Sequence, residues 1–142
     1  LGAPVGSLIV STQANIEKLR RLRKMLGGGM RQVGILAAAG LYALEHNISR
    51  LKEDHRNAKQ LALQLQQIPT VFVDPDLVET NIVIFEVIRS EHSTQELLQA
   101  FKEVGVLLNI VGDRTFRAVT HLDVGVDEIE RVATMLSSIL AS

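Results

Sequence analysis

Residues 81–87 form the stretch Asn81-Ile82-Val83-Ile84-Phe85-Glu86-Val87, in which most side chains are β-branched or aromatic. Such side chains favour a pleated strand, so we predict a strand here. Further along, Ser93 is followed three positions later by Glu96, a pair typical of a capping box at the start of a helix. Gly105 can end that helix, because glycine readily adopts the left-handed conformation found after a last helical turn. Residues 81–105 are therefore predicted to form a strand followed by a helix.

The segments on either side extend this pair into a layer of strands and helices. Short runs of strand-forming residues at 106–109 and 115–119 flank a Gly112-Asp113 turn, and they predict two adjacent strands. Apolar residues at helical spacing predict a final helix over 127–140 and a long amphipathic helix over 48–65. The second part of the chain is thus predicted to fold as β-α-β-β-α behind a long leading helix.

The first part of the chain is predicted to be mostly helical. An apolar run at 8–10 indicates a short buried strand, and the helix that follows it is interrupted by three glycines at 27–29. A second helix, rich in small residues, is predicted over about 32–45. We therefore predict an α/β fold in two parts, residues 1–46 and residues 47–142.

Composition and charge exclude several classes of protein. The 142-residue chain has no cysteine, which excludes disulfides and thiolate metal sites, and no apolar run near the ~18 residues of a membrane span. Its four histidines lack the spacing of metal ligands, so we predict no metal site. The net charge is −1, but residues 1–31 contain six basic residues and one acid, which favours an anionic ligand. The helix after the glycines lacks a basic face, so no nucleic-acid partner is predicted.

The three glycines at 27–29 are flanked by Lys24 and Arg31. Backbone without side chains lets an anion approach closely, and the two cations can supply charge-assisted hydrogen bonds to a phosphate or a carboxylate. The lysine precedes the glycines, so the pattern is not that of a phosphate-binding P-loop. The residues alone leave two interpretations open: an anion site, or a simple connection between two helices.

Arg117 lies in a predicted strand, where alternation places it on the opposite face from Phe116 and Ala118. An arginine on a half-buried strand needs a partner, and its guanidinium can bind a carboxylate through two parallel hydrogen bonds. That partner is either the carboxylate of a ligand or a local acid such as Asp113 or Asp123. The residues alone do not decide between the two.

The chain resembles the low-specificity L-threonine aldolases through three motifs that occur in order. They are Leu1-Gly2-Ala3-Pro4-Val5-Gly6-Ser7, Lys24-Met25-Leu26-Gly27-Gly28-Gly29-Met30-Arg31-Gln32 and Arg117-Ala118-Val119-Thr120-His121-Leu122-Asp123-Val124. The resemblance covers nearly the whole chain. It implies a lyase of the aspartate-aminotransferase fold type that uses pyridoxal phosphate and cleaves L-threonine and L-allo-threonine to glycine and acetaldehyde.

The resemblance also implies roles for single residues. Arg117 matches the family arginine that binds the substrate α-carboxylate, and His121 is expected only as a neighbour of that site. Lys24 and Arg31 match a basic pair in the region of the cofactor phosphate, across a subunit interface. The family lysine that forms the Schiff base is expected just upstream of Leu1, so no catalytic residue is assigned within the chain.

The resemblance further implies an organisation and a partner. Residues 1–46 are expected to be the end of the large pyridoxal-phosphate-binding domain, and residues 47–142 the small carboxyl-terminal domain. The parent protein is expected to be a cytoplasmic homo-oligomer, a dimer or tetramer, that acts on a small β-hydroxy amino acid in threonine catabolism and glycine formation. This chain alone is expected to be inactive and to expose apolar patches. An alternative is a truncated, non-catalytic relative that serves as an oligomerisation or anion-binding module.

Overall fold

The computed structural model describes residues 1–140, and the chain divides into two compact units, residues 1–48 (unit 1) and residues 49–142 (unit 2). Unit 1 contains helices α1 (Gln13–Met25) and α2 (Gly34–His46). Unit 2 contains α3 (Leu51–Leu65), β1 (Val71–Phe72), β2 (Ile82–Val87), α4 (Thr94–Glu103), β3 (Asn109–Gly112), β4 (Thr115–Val119) and α5 (Val126–Leu140).

Unit 2 is built on a four-stranded antiparallel sheet in the order β1-β2-β4-β3. The edge strand β3 pairs with β4 through an irregular register, with a β-bulge between Ile110 and Gly112. The predicted α/β class and the order β-α-β-β-α behind a long helix are confirmed. The structure adds β1, which the sequence analysis did not predict.

The core lies between one face of this sheet and helices α3, α4 and α5. Alternate residues of β2, namely Val83, Phe85 and Val87, are buried in it. Phe116 of β4 lies among them, with its ring centroid 5.6 Å from that of Phe85 and 5.3 Å from that of Phe101 on α4. Because aromatic rings at such distances bury a large apolar area in a defined geometry, these three rings hold the sheet and α4 together.

The predicted strand at 106–109 is wrong, because β3 spans Asn109–Gly112. Gly105 adopts φ +85°, and the backbone N–H of Val106 donates to Phe101 O at 2.9 Å. This bond belongs to a Schellman motif, in which the chain turns back over the last turn of a helix. Val106 is therefore part of the end of α4, and the sheet begins only where the chain has left that turn.

The predicted capping box at the start of α4 is confirmed. The Oγ atom of Ser93 accepts from the Glu96 N–H at 3.3 Å, and Glu96 Oε2 accepts from the Ser93 N–H at 2.7 Å. The bond from the Ser93 backbone, the bond from its hydroxyl and the charge of His92 together lower the pKa of the Glu96 carboxyl below its usual value of 4.5. The ionised form of Glu96 therefore stabilises this helix start.

We expect the Glu96 contribution to stability to disappear at low pH. Because the pKa is lower in the folded than in the unfolded state, the contribution is complete above about pH 4.5 and is lost as the pH falls through the folded-state pKa. Urea denaturation of wild type and Glu96→Gln from about pH 7 down to about pH 3 measures it. The difference in unfolding free energy between the two should shrink over this range, and a constant difference would contradict the prediction.

In unit 1 the two predicted helices are confirmed, but the predicted strand at 8–10 is wrong. α1 begins after Thr12, whose Oγ1 accepts from the Asn15 N–H at 3.4 Å. The residues of the apolar run are 64–96% exposed and belong to no strand. A strand needs a hydrogen-bonded neighbour, and all four strands found among residues 1–140 belong to unit 2.

The second helix of unit 1, α2, is apolar around most of its circumference and yet buries only Ala43. Ile35, Leu41 and Tyr42 are each more than half exposed. A helix that is apolar all round is normally covered on all sides, so the expectation of exposed apolar patches is confirmed. Even so, none of the helices within residues 1–140 combines the length and apolar character needed to cross a membrane.

Candidate functional site

The candidate site is the face of the unit 2 sheet that points away from the core, and it carries Arg117. Phe116 and Ala118, its neighbours in β4, are buried on the core side. On the other face, which we call the open face, Arg117 pairs with Ile84 of β2 and with Asn109 of β3. The predicted alternation is confirmed, and Arg117 is the middle residue of a strand that has a neighbour on each side.

The guanidinium of Arg117 has no acidic partner among residues 1–140. Its Nε is buried and makes no hydrogen bond within this part of the chain. Neither of the two local acids pairs with Arg117: Asp113 Oδ1 accepts from Thr94 Oγ1 at 3.4 Å, and the nearest cationic-type side chain to Asp123 is that of His121, whose Nδ1 lies 3.5 Å from Asp123 Oδ2. A buried donor without a partner costs about 1–3 kcal/mol. Within residues 1–140, therefore, Arg117 forms no ion pair with Asp113, Asp123 or any other acid.

His121 lies in the turn that follows β4, two residues beyond the last residue of the strand. Its Nδ1 accepts from the Asp123 N–H at 3.3 Å, which fixes the orientation of the exposed ring. No group of three or more histidine, aspartate or glutamate side chains within residues 1–140 is arranged to hold a metal ion. His121 is therefore an oriented surface group near the end of the strand that carries Arg117.

Three buried polar residues near the end of β4 were not predicted from the sequence. Asp54 and Asn57 lie one turn apart on α3 and are 4% and 0% exposed, and Thr120 directly follows β4 and is 2% exposed. Thr120 Oγ1 donates to Asp54 O at 2.7 Å, and Asn57 Nδ2 donates to Val124 O at 3.0 Å. Polar residues three apart, just beside apolar positions of a helix, were the signal available in the sequence.

Lys24 and Arg31 lie in unit 1, on either side of the three glycines. Gly27, at φ +79°, donates its N–H to Lys24 O, and Gly28 donates to Arg23 O, which completes a Schellman motif at the end of α1. The first two glycines therefore connect two helices, and their N–H groups are not free to bind an anion. Lys24 and Arg31 are exposed, and neither makes an ion pair within residues 1–140. Arg117 belongs to the other unit.

The chain matches a known protein family over more than half of its length. The family model described as beta-eliminating lyase matches residues 1–90, well over half of the chain. The chain belongs to the beta-eliminating lyase family. Similar proteins named low-specificity L-threonine aldolases confirm the resemblance that the motifs indicated.

Two relatives of this chain illustrate the similarity. The low specificity L-threonine aldolase of Escherichia coli (strain K12) is 43% identical over 141 residues, which cover 99% of this chain and 40% of the relative. The low-specificity L-threonine aldolase 1 of Arabidopsis thaliana is 42% identical over 130 residues, which cover 91% of this chain and 36% of the relative. The chain thus spans about 40% of the length of the curated relatives it matches.

Solved structures show which fold this chain shares. The cystine C–S lyase C-DES, in complex with its product cysteine persulfide, matches 73% of this chain and 28% of its own, with a TM-score of 0.61 and 22% identity. MppP soaked with its product 2-ketoarginine matches 76% of this chain and 32% of its own, with a TM-score of 0.56 and 12% identity. Another structure of C-DES carries glycine covalently linked to its PLP cofactor. At these identities the likeness concerns the fold alone.

Proposed function

We propose that this chain is part of a pyridoxal-phosphate-dependent aldolase that cleaves L-threonine and L-allo-threonine to glycine and acetaldehyde. In this proposal Arg117 binds the α-carboxylate of the substrate. The observation that carries it is the unpaired guanidinium of Arg117 on the open face, whose buried Nε has no partner within residues 1–140. The names of the relatives at 42–43% identity support the choice of substrate.

The role of Arg117 is to select and orient the substrate. Two parallel hydrogen bonds from its planar guanidinium fix the carboxylate, and they thereby fix the direction of the Cα–Cβ bond that is to be broken. Ile84 and Val119 lie on the same face, one across the strand pair and one two residues along β4. Both side chains are partly exposed, and a substrate bound over them would shield the ion pair from water and strengthen it.

Pyridoxal phosphate, when bound, supplies an electron-accepting ring that stabilises the charge left on the substrate as the Cα–Cβ bond breaks. Lys24 and Arg31 fit the phosphate of this cofactor, because both are exposed cations that no acid neutralises within residues 1–140. A Cβ at Gly29 would lie 3.3 Å from Lys24 Cδ, so the lysine side chain follows a stretch of bare backbone. We propose that this pair holds the cofactor phosphate.

Replacing Lys24 and Arg31 together by alanine in the full-length protein is expected to weaken pyridoxal phosphate binding by about 100-fold, since two charge-assisted hydrogen bonds would be lost. Fluorescence titration of the protein without cofactor measures the Kd. Lys18→Ala is the matched control, because Lys18 is an exposed lysine on the same helix and lies outside the glycine segment. Equal affinities of the double variant and Lys18→Ala would remove the pair from the phosphate site.

We also propose that the full-length protein is a cytoplasmic homo-oligomer, a dimer or tetramer. In it, residues 1–46 form the end of the large domain and residues 47–142 form the small domain. The exposed apolar side chains of α2 support self-association, because monomeric proteins rarely leave such a patch uncovered. The same patch favours the second candidate, a non-catalytic oligomerisation or anion-binding module.

The test of the proposed function is incubation of the full-length protein with pyridoxal phosphate and L-threonine. Acetaldehyde is followed by its reduction with a coupled alcohol dehydrogenase, and glycine is quantified by chromatography. We expect the two products in equal amounts. If neither forms while the protein is folded and oligomeric, the aldolase proposal is wrong and the non-catalytic module remains.

A further inference from the structure

We infer that Thr120 and Asn57 are positioning residues, which tie the segment after β4 to α3 and thereby fix where the Arg117 guanidinium is held. The inference rests on the proposed function, since it concerns the arginine assigned to the substrate carboxylate. It adds two residues whose side chains lie on the core side of the sheet and act through Arg117.

Every polar group of Thr120 is bonded. Its N–H donates to Asn81 O at 2.9 Å, and its carbonyl accepts from Asn81 Nδ2 at 2.8 Å. Its hydroxyl donates to Asp54 O on α3 at 2.7 Å. Because Asn81 directly precedes β2, the end of β4 is fixed both to the neighbouring strand and to the helix beneath the sheet.

The turn after Thr120 is held at its other end by Asn57. Asn57 Nδ2 donates to Val124 O at 3.0 Å, and the N–H of Val124 donates to His121 O at 2.9 Å. The turn is therefore closed by its own backbone hydrogen bond. Hydrogen bonds also join it and the preceding Thr120 to Asn57 and Asp54 of α3, which lie one helical turn apart. The segment between these points contains His121.

The cluster leaves two buried oxygens without a hydrogen bond. Asp54 Oδ1 and Asn57 Oδ1 make no hydrogen bond within residues 1–140. Arg50 Nη1 lies 3.3 Å from Asp54 Oδ1, but it has hydrogen-bond geometry only to Oδ2, at 3.4 Å. Well-packed apolar residues would serve stability at least as well, because partly satisfied polar groups are costly to bury. What the cluster supplies is a defined position for the segment after β4.

That position matters for Arg117 because only two residues of continuous strand separate it from Thr120. A shift of the strand end is transmitted along the backbone to the guanidinium. The two hydrogen bonds from a guanidinium to a carboxylate depend on distance and direction. A small displacement of the Arg117 guanidinium therefore weakens substrate binding more than it affects folding.

The experiment compares Thr120→Val and Thr120→Ser in the full-length enzyme. Valine matches threonine in shape but lacks the hydroxyl, whereas serine keeps it. We expect Thr120→Val to raise the KM for L-threonine about tenfold with a change in kcat below about twofold, and Thr120→Ser to stay within about twofold of wild type in both. Thr70→Val is the matched control, because Thr70 also donates its hydroxyl to a backbone carbonyl, Leu140 O at 3.2 Å, but lies beside the edge strand β1.

A double-mutant cycle separates a positioning role from a merely structural one. If Thr120 acts through Arg117, Thr120→Val should cause no further rise in KM once Arg117 is alanine. An unchanged KM in Thr120→Val, or an equal rise in both backgrounds, would overturn the inference. Circular dichroism establishes that the variants are folded. Should Thr120→Val not fold, Asn57→Ala is measured in the same way and decides the question by the same criteria.

Hydrogen exchange of residues 120–124, followed by mass spectrometry, separates failure of this inference from failure of the proposed function. Faster exchange in Thr120→Val than in wild type supports the anchoring, whether or not the wild type cleaves threonine. Unchanged exchange overturns it. A wild-type protein that releases no acetaldehyde overturns the proposed function alone.

Discussion

Replacing Arg117 by alanine is expected to lower kcat/KM of the full-length protein for L-threonine by about 100-fold or more. Two charge-assisted hydrogen bonds to the substrate carboxylate would be lost, each worth about 1.5–3 kcal/mol. The substrate would bind more weakly and without a fixed direction of the bond to be broken, so we expect a higher KM and a lower kcat. Initial rates of acetaldehyde release over a range of threonine concentrations give both constants.

Two further variants test whether the effect depends on the guanidinium of Arg117 in particular. Arg117→Lys keeps the charge but loses the planar pair of donors, and it should be intermediate. Arg56→Ala removes an exposed arginine of α3 and should leave both constants unchanged. Wild-type kinetics in Arg117→Ala would exclude Arg117 from the substrate site, and the proposed function would lose the observation that carries it.

Replacing Phe116 by alanine is expected to lower the free energy of unfolding by about 3–5 kcal/mol. Phe116 is 0% exposed, and its ring packs against those of Phe85 and Phe101. Alanine would leave a cavity where the sheet meets α4, and the rings on both sides are held by separate elements that cannot easily close it. Urea denaturation of the chain, followed by circular dichroism, measures the loss.

Phe72→Ala is the matched control for the core substitution. Phe72 is 61% exposed at the edge of the same sheet, so its removal should change the unfolding free energy by no more than about 0.5 kcal/mol. A loss below about 1 kcal/mol in Phe116→Ala would contradict the central place of this ring in the core.

Elements with strong local signals could be predicted from the sequence, and elements that depend on distant partners could not. The capping box of Ser93 and Glu96 fixes the start of α4 through residues only three apart, so it was visible in the sequence. The strand β1 has two residues and exists because Val71 and Phe72 pair with the end of β2. The run at 8–10 has strand-forming composition, but unit 1 offers it no strand to pair with.

In the candidate site, too, local features could be predicted from the sequence and features that depend on distant residues could not. Alternation along β4 correctly placed Arg117 on the face opposite Phe116, because the period of a strand is a local property. Whether Asp113 or Asp123 reaches the guanidinium depends on how the turns fold, and the sequence left that open. Asn57 was missed because its partner, Val124, lies 67 residues away along the chain.

The bulge between Ile110 and Gly112 has a consequence for how the protein behaves at high concentration. An edge strand with a straight row of free N–H and C=O groups is a template on which another chain can add a strand. Here the outer edge is interrupted after two paired residues, and the opposite edge, β1, is only two residues long. Neither border of the folded sheet offers a long, regular row of free backbone groups, so unit 2 can keep the face that carries Arg117 accessible without presenting a good template for strand addition.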